Sequence, residues 1–256
     1  MKYLIGNWKM QLTEKESVKL AEEIKHLVGP WLASADIAAI FCPSFMALPG
    51  VRHAITDTPI ALGAQDVFWE DKGAFTGEVS PVALKELGCG YCLVGHSERR
   101  QFCGETDEKV NKKTAALIRH NITPVVSVGE TKEERAAGRR DEVVISQVKA
   151  ALTGNHPVTK IIIAYEPRWV IGTGVAVSPE DAAEMHALIR RAVTEVYADA
   201  VIERHIHVIY GGAVDAKNIG GFFANPLIEG ALVGGASLKP HEFRAMAAIA
   251  AGRDEQ

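Results

Sequence analysis

The chain predicts an α/β fold, a single (β/α)8 barrel of eight parallel strands ringed by helices, and three observations lead there. Eight short apolar strands alternate with helical stretches along the 256 residues. Each strand ends in a glycine, a proline or a polar residue before its helix begins. No linker or shift in composition divides 1–256 into two halves, so the whole chain reads as one domain. Regular strand–helix alternation implies parallel pairing with right-handed crossovers, and eight units is the number that closes into a barrel. A doubly wound open sheet would want a glycine-rich turn after an early strand, whereas the first turn here is Asn7-Trp8-Lys9.

Taken in order, the first strand is Tyr3 to Gly6. Thr13 and Glu16 form a capping box for a helix with apolar positions at Val18, Leu20, Ala21, Ile24 and Leu27. Strand two, Ile37 to Cys42, is stopped by Pro43 and followed by a short helix over 44–53. Strand three, Ile60 to Ala64, opens into a long connection from Gln65 to Val79. Ser80 and Pro81 then supply an N-cap and a first-turn proline, and Gly88 ends that helix. Strand four, Tyr91 to Val94, delivers Gly95, His96, Ser97 and Glu98, and a helix capped near Thr106 runs to His120. Strand five, Pro124 to Val128, precedes Gly129, Glu130 and a helical region to Leu152. Ser178-Pro179-Glu180 repeats the cap-and-proline signal for a helix reaching Tyr197. Strand seven, Ile206 to Tyr210, ends in Gly211-Gly212, with a helix from Asp215. Strand eight, Ala231 to Val233, ends in Gly234-Gly235, and a last helix runs from Pro240 to Ala251.

Strand six organises the rest. Ile161, Ile162, Ile163 and Ala164 read as a strand buried on both faces, as in a parallel sheet covered by helices. Tyr165 and Glu166 follow, then Pro167, which cannot continue the ladder and biases Glu166 toward an extended conformation. A carboxylate is thereby fixed at the C-terminal end of a buried strand. A solvated loop has no use for Trp169, Val170 and Ile171 together; a loop that closes over something does, because closure buries them.

Composition narrows the function. Hydrophobic content of 47% and charged content of 23% are ordinary for a globular protein. A net charge of -4 without a basic cluster argues against nucleic acid, so any anion must be held by local groups. Cys89 and Cys92 have CxxC spacing, but Cys92 lies inside a strand and no second pair completes a zinc site, so no metal is expected. The apolar run in MKYLIGNWKM is too short for a signal peptide and no stretch could span a membrane, which points to a cytoplasmic protein.

In a barrel, everything after a strand end faces one mouth. That mouth collects Asn7, Lys9, His96, Glu98, Glu166, Gly172, Gly211-Gly212 and Gly234-Gly235. Glycines near helix starts offer bare backbone N–H groups that cradle a phosphate. Lys9 adds positive charge, while Glu166 and His96 supply a base and a polariser or acid. Carboxylate, imidazole, ammonium and anion cradle together indicate proton transfer next to the carbonyl of a small phosphorylated compound.

The motifs GNWKM at 6–10, GAFTGE at 73–78, GHSERR at 95–100, AYEPRWVIGTG at 164–174, YGG at 210–212 and LVGGASL at 232–238 closely resemble those of the triosephosphate isomerases, in order and across essentially the whole chain. The resemblance implies a TIM barrel that interconverts dihydroxyacetone phosphate and glyceraldehyde 3-phosphate without a cofactor. It implies Glu166 as the base, His96 as a neutral electrophile, Lys9 as electrostatic stabiliser, Asn7 as a donor to a substrate oxygen and Glu98 just behind them. Gly172, Ala213, Gly234 and Gly235 would hold the substrate. A homodimer contact through 65–79 is implied, with Thr76 reaching the neighbour's active site.

The chain departs from the family pattern at Gln11, where asparagine is usual, Ser127 for cysteine, Arg168 for a small apolar residue, Val175 for lysine and Ala213 for serine. None removes a catalytic group. An isomerase of a related sugar phosphate, such as a four-carbon ketose phosphate, is the alternative on the same constellation. A non-catalytic binding paralogue would have no use for the base, and a nicotinamide dehydrogenase reading of GTG at 172–174 lacks its third glycine, position 177 being Val.

Overall fold

A computed structural model describes residues 1–170 and 176–253. Eight parallel strands close into a barrel in sequence order: β1 (Lys2–Asn7), β2 (Ile37–Cys42), β3 (Ala61–Ala64), β4 (Tyr91–Val94), β5 (Thr123–Val128), β6 (Ile161–Tyr165), β7 (Ile206–Tyr210) and β8 (Gly230–Val233). Closure is made by β1 against β8, where Leu4 lies opposite Ala231 and Ile5 opposite Leu232. The first helices are α1 (Glu14–Leu32), α2 (Leu48–Ala54), α3 (Pro81–Glu86) and α4 (Ser97–Phe102). After them come α5 (Asp107–Arg119), α6 (Lys132–Ala136), α7 (Arg140–Leu152) and α8 (Pro179–Thr194). The last are α9 (Asp199–His205), α10 (Ile219–Phe223) and α11 (Pro240–Ala250).

Strand alternation sorts the core into two parts. Tyr3, Ile5, Ile40, Leu93, Val125, Ile162, Ala164, Ile209 and Leu232 fill the barrel interior. Their chain neighbours Leu4, Phe41, Val94, Val126, Ile161, Ile163 and Val208 point outward and pack under the helices. Each strand is therefore apolar on both faces, which is why the strands read as continuous apolar runs.

Capping signals in the sequence reappear as hydrogen bonds. Thr13 accepts from Glu16 N–H while the Glu16 carboxylate accepts from Thr13 N–H, and Ser80 and Ser178 cap their proline-started helices. Several elements differ from expectation, among them α9, a helix between α8 and β7 that the sequence pattern does not predict. The helical region after β5 breaks in two at Gly138, whose φ of 71° no helix interior accepts. The helix expected from Asp215 starts only at Ile219, because the Asp215 carboxylate accepts from Lys217 and Asn218 N–H and closes a local turn first. The short helix α4 carries no cap signal of the usual kind in the sequence; it is capped by the His96 ring.

At the opposite end from the loops after the strands, α8 buries His186. Its Nδ1 donates to the Leu227 carbonyl at 3.1 Å, and Nε2 has no partner among the described residues. Burial drives its pKa down to about 4, so the folded state holds a neutral ring. Because this folded value lies below the ordinary 6.5, stability is complete above pH 6.5 and is lost as pH falls toward 4. The expected loss from this one group is about 2–3 kcal/mol. Urea unfolding at pH 6.5 and pH 4 should show that loss in the parent and a smaller one in His186→Gln; equal losses would show that His186 does not carry it.

Candidate active site

The loops after the strands meet at one mouth, and each site residue is held there by a local cause. β1 ends in Asn7, whose Oδ1 accepts from Lys9 N–H at 3.0 Å. That bond supports a left-handed backbone at Lys9, φ 54°, a conformation rare for a side-chain-bearing residue and concentrated at functional sites. Gln65 fixes the same turn from the next strands, donating to the carbonyls of Lys9 at 2.8 Å and Cys42 at 2.9 Å. The Lys9 ammonium pairs with Glu98 Oε1 at 2.5 Å. Glu98 is partly exposed, so this pair orients the ammonium more than it stabilises the fold.

β4 runs into Gly95-His96-Ser97-Glu98. Gly95 N–H donates to buried Glu105 at 2.8 Å, and Arg100 Nε donates to the Gly95 carbonyl at 2.7 Å, so the turn is clamped from both sides. His96 Nδ1 accepts from Glu98 N–H at 3.3 Å. A nitrogen that accepts carries no proton, so the ring is a neutral imidazole with its N–H on Nε2. That Nε2 lies 3.6 Å from Glu166 Oε1, in line for contact but longer than a hydrogen bond.

Glu166 follows β6 and is only 1% exposed. Its Oε2 accepts from Ser97 N–H at 3.1 Å and its Oε1 from Ser127 Oγ at 2.7 Å. Two glycines make room for it. A Cβ on Gly129 would sit 1.8 Å from the Glu166 carbonyl oxygen, and one on Gly211 would sit 2.7 Å from Glu166 Cγ. Of the paired glycines after β7, Gly211 therefore reflects close approach of the Glu166 side chain, while a Cβ on Gly212 would sit 2.1 Å from the Tyr210 hydroxyl.

Asn7, Lys9, His96, Gly211, Gly212, Ala213, Gly234 and Gly235 line one cavity of ≈ 350 Å³, a volume suited to a small ligand. The N–H groups of Gly212, Ala213, Gly234 and Gly235 donate to no other described residue, which leaves them free for an anion. Gly211 N–H instead donates to the Tyr165 carbonyl at 2.8 Å, so of the glycine pair after β7 only Gly212, with Ala213 beside it, has an N–H free for such a cradle. Lys9 Nζ reaches toward this cradle, lying 3.8 Å from where a Gly234 Cβ would be. Lys239 stands at the rim. Glu166 does not line the cavity; it lies behind Gly211.

Thr76 is exposed in the 65–79 connection, away from this cavity. Gly172 lies outside the described residues, as do Ile171, Thr173, Gly174 and Val175. The flanks of that stretch are anchored. Trp169 Nε1 donates to the buried Glu130 carboxylate at 3.0 Å with the Arg135 guanidinium 4.7 Å over its ring, and Val177 N–H donates to the Tyr210 hydroxyl at 3.3 Å. Among the described residues, no group of three or more His, Cys, Asp or Glu could hold a metal ion.

Four supporting residues carry no signal of their own in the sequence. Gln65, Ser97, Glu105 and Ser127 touch the site, yet each is a polar residue of ordinary type whose partner is 10 to 69 positions away. Only the position of Ser97 inside GHSERR and the unusual residue at 127 hint at a role.

A family model described as triosephosphate isomerase matches residues 2–250. A triosephosphate isomerase of Roseiflexus sp. (strain RS-1) is 49% identical over 242 residues, covering 94% of each chain. Those of Caldanaerobacter subterraneus subsp. tengcongensis and Clostridium tetani are 48% and 46% identical, covering 94% and 95% of this chain and 96% and 94% of theirs. A closed eight-stranded barrel, a mouth that gathers the family's motifs, and matches of this length leave one conclusion: the chain belongs to the triosephosphate isomerase family.

Proposed function

We propose that this protein interconverts dihydroxyacetone phosphate and D-glyceraldehyde 3-phosphate through an enediol(ate), using Glu166 as the base. The observation that carries the proposal is a buried carboxylate 3.6 Å from the N–H of a neutral imidazole, beside a cavity with an ammonium and four free backbone N–H groups. The phosphate sits on Gly212, Ala213, Gly234 and Gly235. Glu166 takes a proton from the carbon next to the carbonyl, and the electrons of that C–H bond move toward the carbonyl oxygen. His96 Nε2–H and Asn7 donate to the oxygens there, and Lys9 balances the developing charge. His96 passes the hydroxyl proton from one oxygen of the enediol(ate) to the other, and return of the proton from Glu166 to the adjacent carbon gives the isomer. Every step is a proton transfer, so the chemistry calls for no cofactor.

Both Glu166 oxygens are occupied, so reaction requires the side chain to leave Ser97 and Ser127 and enter the cavity. Gly211 has no Cβ to obstruct that swing.

A homodimer fits the surface. Met10, Met46, Phe75 and Phe102 are exposed large apolar side chains, and all four lie in the connections after β1 to β4. Within that connection Phe68 is buried in its own chain and stacks on the half-buried Trp69 at 4.0 Å. Phe75 is left as the apolar tip of the 65–79 connection, next to Thr76, which would reach the neighbour's mouth. Among the described residues no helix is long and apolar enough to cross a membrane, in keeping with a cytoplasmic enzyme of sugar phosphates.

Glu166→Gln should lower kcat on the order of 10²–10⁴-fold with little change in substrate affinity, the scale of general base catalysis. Near-parental kcat in the folded variant would sink the mechanism. Thr76→Arg should weaken self-association at least about tenfold, ~1.4 kcal/mol, and lower kcat with it. Sedimentation of the parent as a monomer at micromolar concentration would count against the dimer. Ala213 offers the phosphate its N–H but no hydroxyl. Ala213→Ser should lower KM and the inhibition constant of inorganic phosphate together, about 5-fold, with kcat unchanged, because the phosphate lies away from the reacting carbons. If neither constant moves, position 213 does not touch the phosphate.

A further inference from the structure

We infer that Ser127 is a positioning residue that latches the base in its retracted state and sets how readily Glu166 enters the cavity. Ser127 lies on β5 opposite Ala164 of β6, two residues before Glu166, and is buried. Its hydroxyl donates to Glu166 Oε1 at 2.7 Å, the shorter of the two hydrogen bonds to that carboxylate. The residue itself cannot drift. Its carbonyl accepts from Arg100 at 3.4 Å, and Arg100 also holds Gly95 at 2.7 Å and pairs with Asp107 at 2.6 Å. The latch is thus tied to the same β4 turn that presents His96 and Ser97.

A hydroxyl donating to a buried carboxylate favours the retracted state over any state in which Glu166 has left it. The backbone N–H of Ser97 makes the second bond whatever the residue at 127, so the strength of the hold is tuned at 127. A thiol of nearly the same size is a much weaker donor. Ser127→Cys therefore loosens the latch without opening a cavity.

The inference rests on Glu166 being the base, and the test separates the two claims. A phosphorylated α-halo ketone places an electrophilic carbon where the reacting carbon of the substrate would lie. A Glu166 oxygen attacks that carbon, the carbon–halogen bond breaks, and halide leaves with the electron pair. The saturating rate of this labelling reads the reach of Glu166 and needs no turnover. Ser127→Cys should be labelled about 3- to 10-fold faster than the parent, the scale of one hydrogen bond to a charged group weakened. Ser127→Thr, which restores the hydroxyl, should return the rate toward the parent's. A change of packing that leaves the hydroxyl in place is read from Ser127→Thr, which alters the volume at 127 and keeps the donor. A Ser127→Cys rate equal to or below the parent's, with peptide mapping that still places the label on Glu166, overturns the latch alone. So does an equal change of rate in Ser127→Thr and Ser127→Cys. If the parent is not labelled at Glu166, the role of Glu166 fails and the latch falls with it.

Discussion

Burial of the Glu166 carboxylate is the constraint on which the rest of the mouth depends. A charge removed from water without partners costs several kcal/mol, so a carboxylate 1% exposed persists only where donors are built around it. Those donors come from two strands that precede it in the chain, Ser97 after β4 and Ser127 on β5. The glycines that admit it come from the ends of β5 and β7. One side chain therefore dictates small or donating residues at the ends of β4, β5 and β7, and a barrel is the architecture that brings three such ends together.

A second buried carboxylate plays the same part around β4. Glu105 sits behind Gly95, where burial opposes its ionisation, yet the Lys113 ammonium, the Gly95 N–H and the Arg99 guanidinium hold its carboxyl below the usual range. Arg99 and Lys113 also pair with Asp66 at 2.7 Å each, at the start of the connection toward Phe75. A buried charge network of this kind adds little net stability, but its geometry is rigid because every member loses heavily if one partner moves. It links the turn that carries His96 to the start of the connection proposed to meet a second copy.

Much of this was legible in the residues. Strand and helix order followed from apolar runs and caps, since Thr13, Ser80 and Ser178 satisfy helix N–H groups locally and need no distant partner. Asn7, Lys9, His96 and Glu166 could be named because each follows a strand end and every strand end of a barrel faces one side. Local signals failed where a side chain competed with them. Asp215 closed its own turn and delayed a helix, and the His96 ring capped a helix that propensity did not show.

By itself the sequence determined the barrel, the mouth and the residue types gathered there, because periodicity, capping and chain order act over a few positions. Only the tertiary structure decided that Gly211 gives its N–H to Tyr165 and serves by lacking a side chain, that Phe68 and Trp69 pack on their own chain, and that Ser97 and Ser127 hold Glu166. Those are contacts between residues up to 69 positions apart. Closure of the barrel fixes the register of β4 against β5 and of β5 against β6, and that register, which no local pattern encodes, sets which hydroxyl meets which carboxylate.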